Sequence, residues 1–420
     1  VLFRFCLYGF LKNLRVFDAF LLLALRDRGL DFAAIGALVS VREVAVLLLE
    51  VPSGALADTV GRRRCMVASM AAYVVFGLLY WGAASFWWLA LGMVCHGVGD
   101  AFRSGTHKAM ILSWLRSEGR LDEKTAVYGR TRSWSQLGSA CSAAVGGALL
   151  LAGVDYRAMF LAYAVIALLN LLNLATYPAA LDEGAVGRGS GAAAATWQRL
   201  SAVTRRVVAD RGLRPVVAAG VAVRGGYKVA KDYLQPLLQG LVVALPFGAA
   251  WSGEQRTGLL VGLVSAGMFV LASQASRRAH RFERLFGSAD RASRALTSIL
   301  AALFGLVGAL AWIGLPWLTV AVFVLLAVGN NVWRPVQVGR LADCGGEADQ
   351  ATLLSVEAQL GALLAAALAP GIGALVDAYA SGAVPAPAAA LWPLGLLALP
   401  ALAARTGLRG SEHGAAGPGR

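Results

Sequence analysis

The chain has 420 residues, 58% of them apolar and 15% charged, where a soluble domain carries roughly a quarter charged, and its mean hydropathy is +0.64. This excludes a disordered, fibrous or disulfide-rich secreted protein and places most of the chain in lipid. The formal charge of +14 would suggest nucleic acid for a soluble protein, but in a membrane protein it reports loops kept on the cytoplasmic side, so no nucleic-acid partner is expected.

A spanning helix needs about 20 mostly apolar residues, and turn residues and charges mark where each one ends. The sequence predicts twelve, at 7–26, 32–56, 65–84, 86–111, 130–152, 156–177, 213–240, 256–276, 293–314, 316–340, 351–377 and 386–404. The first reads as a spanning helix and not a signal peptide, because Lys12, Arg15 and Asp18 interrupt it and no small-residue cleavage site follows. Trp81, Trp87, Trp88, Trp312 and Trp317 fall near the outer ends of spans, where indoles sit at headgroup level. The five cysteines form no CxxC pair and stand near no His at ligand spacing, so they read as small apolar residues, with no metal or other cofactor expected.

Between spans six and seven lies a polar stretch with the Gly/Ala/Ser-rich GAVGRGSGAAAAT, followed by WQRLSAVTRRVVADRG, which alternates apolar and basic positions as a surface helix does. The expected organisation is an N-terminal six-helix bundle over 1–177, a cytoplasmic linker with an amphipathic helix over 178–212, a C-terminal bundle over 213–405 and a disordered tail over 406–420. With the N-terminus inside, about 24 basic residues fall on the inner side and about four outside, namely Arg26, Arg28, Arg157 and Arg256. A multi-pass protein of the cell's inner (plasma) membrane with both termini cytoplasmic is therefore expected.

Two short patterns recur at corresponding places in the halves. Gly99-Asp100-Ala101-Phe102-Arg103 in span four parallels Gly329-Asn330-Asn331-Val332-Trp333-Arg334 in span ten, and Gln136-Leu137-Gly138 in span five parallels Gln359-Leu360-Gly361 in span eleven.

After span two the chain reads Glu50-Val-Pro-Ser-Gly54-Ala-Leu-Ala-Asp58-Thr-Val-Gly61-Arg62-Arg63-Arg64, expected as a loop. A positive-inside loop accounts for the arginines but not for the Gly-x-x-x-Asp-x-x-Gly-Arg-Arg spacing. That spacing resembles the signature loop between the second and third helices of major facilitator superfamily transporters, and the twelve spans, central linker and repeat extend the resemblance over the whole chain. The resemblance implies an all-α integral membrane fold of two six-helix bundles, with helices one, four, seven and ten lining a cavity of alternating access. It also implies a conformational latch at Gly54, Asp58, Gly61, Arg62 and Arg63. Thr59 departs from the pattern, since many relatives carry Arg there. The glycine-proline pattern that antiporter subgroups carry in span five is absent as well.

Ionisable groups inside spans are costly and need a partner or an aqueous cavity. His96, Asp100, Arg103 and His107 repeat at helical spacing on span four, as Arg224, Lys228, Lys231 and Gln235 do on span seven. Span ten offers Asn330, Arg334 and Gln337, and span one Lys12, Arg15 and Asp18. These are the spans that the resemblance turns towards the cavity. The balance is basic, which favours an anionic solute, while Asp18 and Asp100 are candidates for proton coupling. Salt bridges within a bundle, such as Asp100 with Arg103 or Asp232 with Lys228, would account for the same charges. Arg42, Glu43 and Glu50 in span two read as a structural network, with a proton relay as the alternative.

The expected function is a monomeric secondary active transporter, not an enzyme, moving a small organic and anionic solute with a coupling ion such as H+. Multidrug-type efflux, lipid or lysolipid handling, and a non-transporting sensor of the same fold are the alternatives.

Overall fold

The computed structural model of the chain describes residues 1–82, 85–104, 106–120, 123–178, 181, 192–244, 248, 250–381 and 387–404. The expected linker segment 182–191 and the tail 406–420 lie outside these residues, as does the side chain of Asp58. The described secondary structure is helical throughout, the solution a chain must adopt when no water is present to satisfy its backbone.

The helices are α1 Leu2–Asn13, α2 Leu21–Asp27, α3 Phe32–Val60, α4 Arg62–Gly82, α5 Phe86–Arg103, α6 Thr106–Ser117, α7 Lys124–Leu151 and α8 Tyr156–Ala175. There follow α9 Ala192–Ala209, α10 Leu213–Ala230, α11 Leu234–Ala244, α12 Gly253–Arg277, α13 Ala279–Phe286 and α14 Ala289–Ile313. Then come α15 Pro316–Leu341, α16 Thr352–Ala380 and the shorter apolar α17 Ala388–Ala404. Among the described residues seven of these, α3, α4, α8, α12, α14, α15 and α16, are long and apolar enough to cross a membrane.

Three expected spans are broken where their charges sit. Span one leaves the helix after Asn13 and resumes with a 3-10 turn at Asp18–Phe20, so Lys12, Arg15 and Asp18 do not share one helical stripe. Span four ends as a helix at Arg103, where Ser104 is extended, and His107 belongs to the separate α6. Span seven is interrupted by a 3-10 turn at Lys231–Tyr233, which separates the part holding Arg224 and Lys228 from the part holding Gln235. The expected loop after span two is also corrected: α3 stays helical through Pro52, Gly54 and Asp58 to Val60. The reversal narrows to Gly61, whose φ of 115° only glycine adopts readily.

The backbone between α15 and α16 keeps helical geometry, yet the chain reverses there. A straight helix would hold Arg334 and Glu357 about 35 Å apart along its axis, whereas their side chains meet at 2.5 Å.

The chain divides into two compact units. One comprises Val1–Arg28, Val41–Trp197 and Pro246–Ala266, the other Gly29–Ser40, Gln198–Leu245 and Gly267–Arg420. The helices α3 and α12 are thus each shared between the units. The first has an aromatic core in which Phe17 lies 5.1 Å from Phe160 and 4.8 Å from Tyr163, with Phe76 4.5 Å from Tyr80. In the second, Val203 and Val207 of α9 are buried with Leu213, Val216, Leu341 and Leu353, so that face of the linker helix packs on protein.

The sequence repeat marks equivalent helix contacts in the two units. A side chain at Gly138 would run into the backbone of Phe10, and one at Gly361 would reach ordinary contact with the stem of Arg224. Span five thus approaches span one as span eleven approaches span seven. The start of α3 is capped from a distance: the Asp377 carboxylate accepts from the backbone N–H of Phe32 at 2.9 Å and of Ala33 at 2.7 Å, where an anion suits the helix dipole.

Candidate functional site

The break in span one frees Arg15 from helical geometry. In the first unit its guanidinium turns to α4 and α5, donating to the Tyr73 hydroxyl at 3.2 Å and to Asp100 Oδ1 at 3.5 Å. Arg103, one turn beyond Asp100 on α5, donates to the same oxygen through Nη2 at 2.6 Å and Nε at 3.1 Å. Tyr73 closes the arrangement, since its hydroxyl donates to Asp100 Oδ1 at 2.6 Å and accepts from Arg103 Nε at 2.7 Å. His96 is buried against the aromatic core, with its ring 4.8 Å from Phe76. Its Nδ1 lies 3.3 Å from Asp100 Oδ2, and its Nε2 lies 3.4 Å from Arg15 Nη1.

Two guanidinium groups therefore share one carboxylate. Lys12 lies in the last turn of α1, and among the described residues no carboxylate forms a salt bridge with it. The arrangement sets two guanidinium groups against one carboxylate in a mainly apolar bundle, where charge is poorly screened. Arg15, Asp100 and Arg103 each keep 16–23% of their side-chain surface accessible. The stripe read on span four thus brings His96, Asp100 and Arg103 together, with Arg15 added from span one.

His107 is not part of this group. Its ring stacks on Tyr8 at 4.1 Å and meets Phe5 edge-on at 5.4 Å. Asp18 lies in the 3-10 turn that follows the break in span one.

The second unit pairs its charges more fully. Glu357 of α16 is completely buried and accepts from Arg334 Nη1 at 2.5 Å. Gln337 Nε2 donates to the Val216 carbonyl at 3.0 Å, and Gln337 Oε1 accepts from Ser293 at 2.8 Å. Arg224 lies against Gly361, Gln235 is buried, Asn330 is half-buried and Lys228 is partly buried on α10. Asp232 pairs with its neighbour Lys231 at 2.8 Å, where Lys228 had been the expected partner.

In span two Arg42 pairs with the buried Glu43 at 2.7 Å, and Glu50 accepts from Ser104 at 3.4 Å. Around the signature segment Arg62 donates to Ser113 at 2.8 Å, while Arg63 donates to the carbonyl of Tyr177 at 3.1 Å. Both arginines anchor α4 to neighbours in the first unit. No side chain is crowded at Gly54, whose missing Cβ would meet open space. Among the described residues no group of three or more His, Cys, Asp or Glu side chains converges as a metal site.

Three participants escaped the sequence reading. Glu357 was visible as a lone carboxylate at the start of span eleven, and Asp377 as one at its far end. Tyr73 carried no signal, because a tyrosine in an apolar span is ordinarily core.

A bundle of apolar helices broken at buried charges defines a polytopic membrane protein built to admit a polar solute or ion. A sequence profile of the Major Facilitator Superfamily matches residues 5–356, and the chain belongs to that family of membrane transporters. No curated protein matches it in a sequence comparison. Among solved structures it is similar to a mutant of the nucleoside transporter NupG, at 12% identity and a TM-score of 0.77 over 97% of this chain and 99% of that one. A bacterial homologue of the human lysosomal transporter Spinster matches at 16% identity and a TM-score of 0.67, covering 98% and 96%. A D-xylose-proton symporter matches at 14% identity and a TM-score of 0.62, covering 96% and 94%. These likenesses establish the all-α membrane fold.

Proposed function

We propose that the protein is a secondary transporter of a small anionic organic solute, which binds at Arg15 and Arg103 and is coupled to protons through Asp100. The observation that carries this reading is the shared carboxylate: Arg15 and Arg103 both hold Asp100 Oδ1. A solute carboxylate or phosphate offers the guanidinium groups the same chemistry that Asp100 does. When it takes them over, Asp100 loses its partners in a poorly solvated site and becomes the group that accepts a proton. Anion and proton would then travel together. Within the second unit, Arg224, Lys228, Lys231, Gln235 and Asn330 are proposed as solute-binding residues. Asp18, at the break in span one, is proposed as a second proton carrier. We assign the latch role to the Gly54–Arg63 segment. The sorting of basic residues supports a place in the inner membrane with both termini cytoplasmic, and the transporter is proposed to act as a monomer.

The test is uptake into proteoliposomes with an imposed pH gradient, across organic acids, phosphorylated solutes, nucleosides and D-xylose. Accumulation of an anionic solute that responds to the gradient, and that Arg103→Ala abolishes while the variant stays folded, is the expected result. Uptake restricted to neutral solutes and unchanged in Arg15→Ala and Arg103→Ala would sink the reading.

A further inference from the structure

Away from the charged cluster, the second unit carries a groove of about 400 Å³ between the start of α10, the middle of α16 and the end of α17, a size within the range of small-ligand sites. Its two ends differ in chemistry. Arg211 and Arg214 stand at the mouth, where the linker helix gives way to α10. Beyond them Pro215, Ala218 and Val221 follow one face of α10 for nearly two turns, opposite Leu364 and Pro400, and offer only apolar side chains.

Both arginines are exposed, and among the described residues neither has a salt-bridge partner. The nearest acid in sequence, Asp210, is engaged elsewhere: its Oδ1 accepts from the backbone N–H of Gly212 at 2.8 Å and of Leu213 at 3.1 Å. Arg211 and Arg214, without a salt-bridge partner among the described residues, stand at the start of expected span seven, where basic side chains meet headgroups, and the groove behind them is lined by apolar side chains suited to hydrocarbon. An occupant that satisfies both ends carries a phosphate at one end and an alkyl chain at the other. A soluble phosphate would leave the apolar floor empty, and a neutral lipid would leave the arginines unanswered.

We infer that this groove binds one anionic phospholipid, with its phosphodiester between Arg211 and Arg214 and an acyl chain along α10. Such a site lies apart from the solute-binding residues proposed above. It would fasten the linker and the first turn of α10 to the bilayer leaflet on that side.

Native mass spectrometry of the full chain, released from dodecyl maltoside micelles, tests this with dioleoyl-phosphatidylglycerol, dioleoyl-phosphatidylcholine and glycerol 1-phosphate as probes. One phosphatidylglycerol should stay bound, and phosphatidylcholine should bind at least about tenfold more weakly. The Arg211→Ala/Arg214→Ala double variant should lose the lipid by about the same factor, and the Arg211→Lys/Arg214→Lys variant should retain most of it. Ala403→Trp introduces an indole into the groove from an exposed position and should also displace the chain. The proposal is overturned if the double-alanine variant, melting as wild type in lipid-free detergent, binds phosphatidylglycerol undiminished. It is equally overturned if phosphatidylcholine binds as tightly, or if glycerol 1-phosphate competes as well as the whole lipid, which would make this a free-phosphate site. Should the double-alanine variant fail to fold, undiminished binding by Ala403→Trp is decisive against it.

Discussion

The carboxylate of Glu357 occupies the space that Gly220 leaves on the facing helix: a Cβ at Gly220 would collide with Glu357 Oε1. Position 220 must therefore stay bare so that Glu357 can reach Arg334. Gly220→Ala is expected to destabilise by about 1–3 kcal/mol through overpacking. Glu357→Ala removes the collision but strands Arg334, at a cost of about 3 kcal/mol, the low end for a broken buried pair because Arg334 keeps about a third of its surface accessible. The double variant should cost less than the two added together. Detergent-solubilised melting by fluorescence-detected size exclusion measures all three, and strict additivity would argue that the two positions do not interact.

Asp100→Asn keeps the shape of the cluster and removes the charge that Arg15 and Arg103 share. If the carboxylate is the proton carrier, the variant should exchange labelled solute across the membrane in counterflow as well as wild type, or better. It should also fail to concentrate solute in response to a pH gradient. The two assays on the same proteoliposomes separate coupling from binding. Gradient-driven accumulation that persists in Asp100→Asn would remove the residue from the proton path.

Much of this cluster is legible in the sequence, because His96, Asp100 and Arg103 recur at helical spacing in a segment where charge is expensive. What is not legible is how Arg15 joins them. The run Leu14-Arg15-Val16-Phe17 contains neither glycine nor proline, so nothing local marks the break in span one. The break is a tertiary effect: Arg15 is drawn to Tyr73 and Asp100, and the Val16 carbonyl lies against Gly146 on α7, where a side chain would collide with it. The reversal between α15 and α16 is similarly hidden, since its backbone stays helical and only the meeting of Arg334 with Glu357 reveals it. The signature segment misleads in the other direction. Pro52 and Gly54 read as loop residues, yet the apolar residues around them keep α3 helical as far as Val60.

That segment supplies a paired prediction on two glycines of one motif. Gly61 holds a φ of 115°, so Gly61→Ala should cost about 1–3 kcal/mol of stability through backbone strain alone. Gly54 sits in a helix with open space around its Cα, and Gly54→Ala should leave melting unchanged or raise it by up to about 1 kcal/mol. If Gly54 serves the latch, its alanine variant will nevertheless slow transport severalfold, by hindering a close approach made elsewhere in the cycle. Wild-type uptake by Gly54→Ala would restrict the motif's function to Gly61 and the arginines.

Asp210 gives a pH dependence with a definite sign. Its carboxyl is held below the usual aspartate range chiefly by the backbone N–H groups of Leu213 and Gly212, which favour the ionised form at the start of α10. A group with a depressed folded-state pKa contributes stability above its unfolded value of about 4 and loses it as the pH falls through the lower folded value. Replacement of a helix-capping carboxylate costs about 1 kcal/mol, and the exposure of Asp210 keeps its contribution at or below that figure. Asp210→Ala should therefore melt slightly below wild type at pH 7, with the two curves converging as the pH is lowered below 4. A difference that stays constant down to pH 3, measured in the same detergent, would mean that the side chain acts by packing and not by its charge.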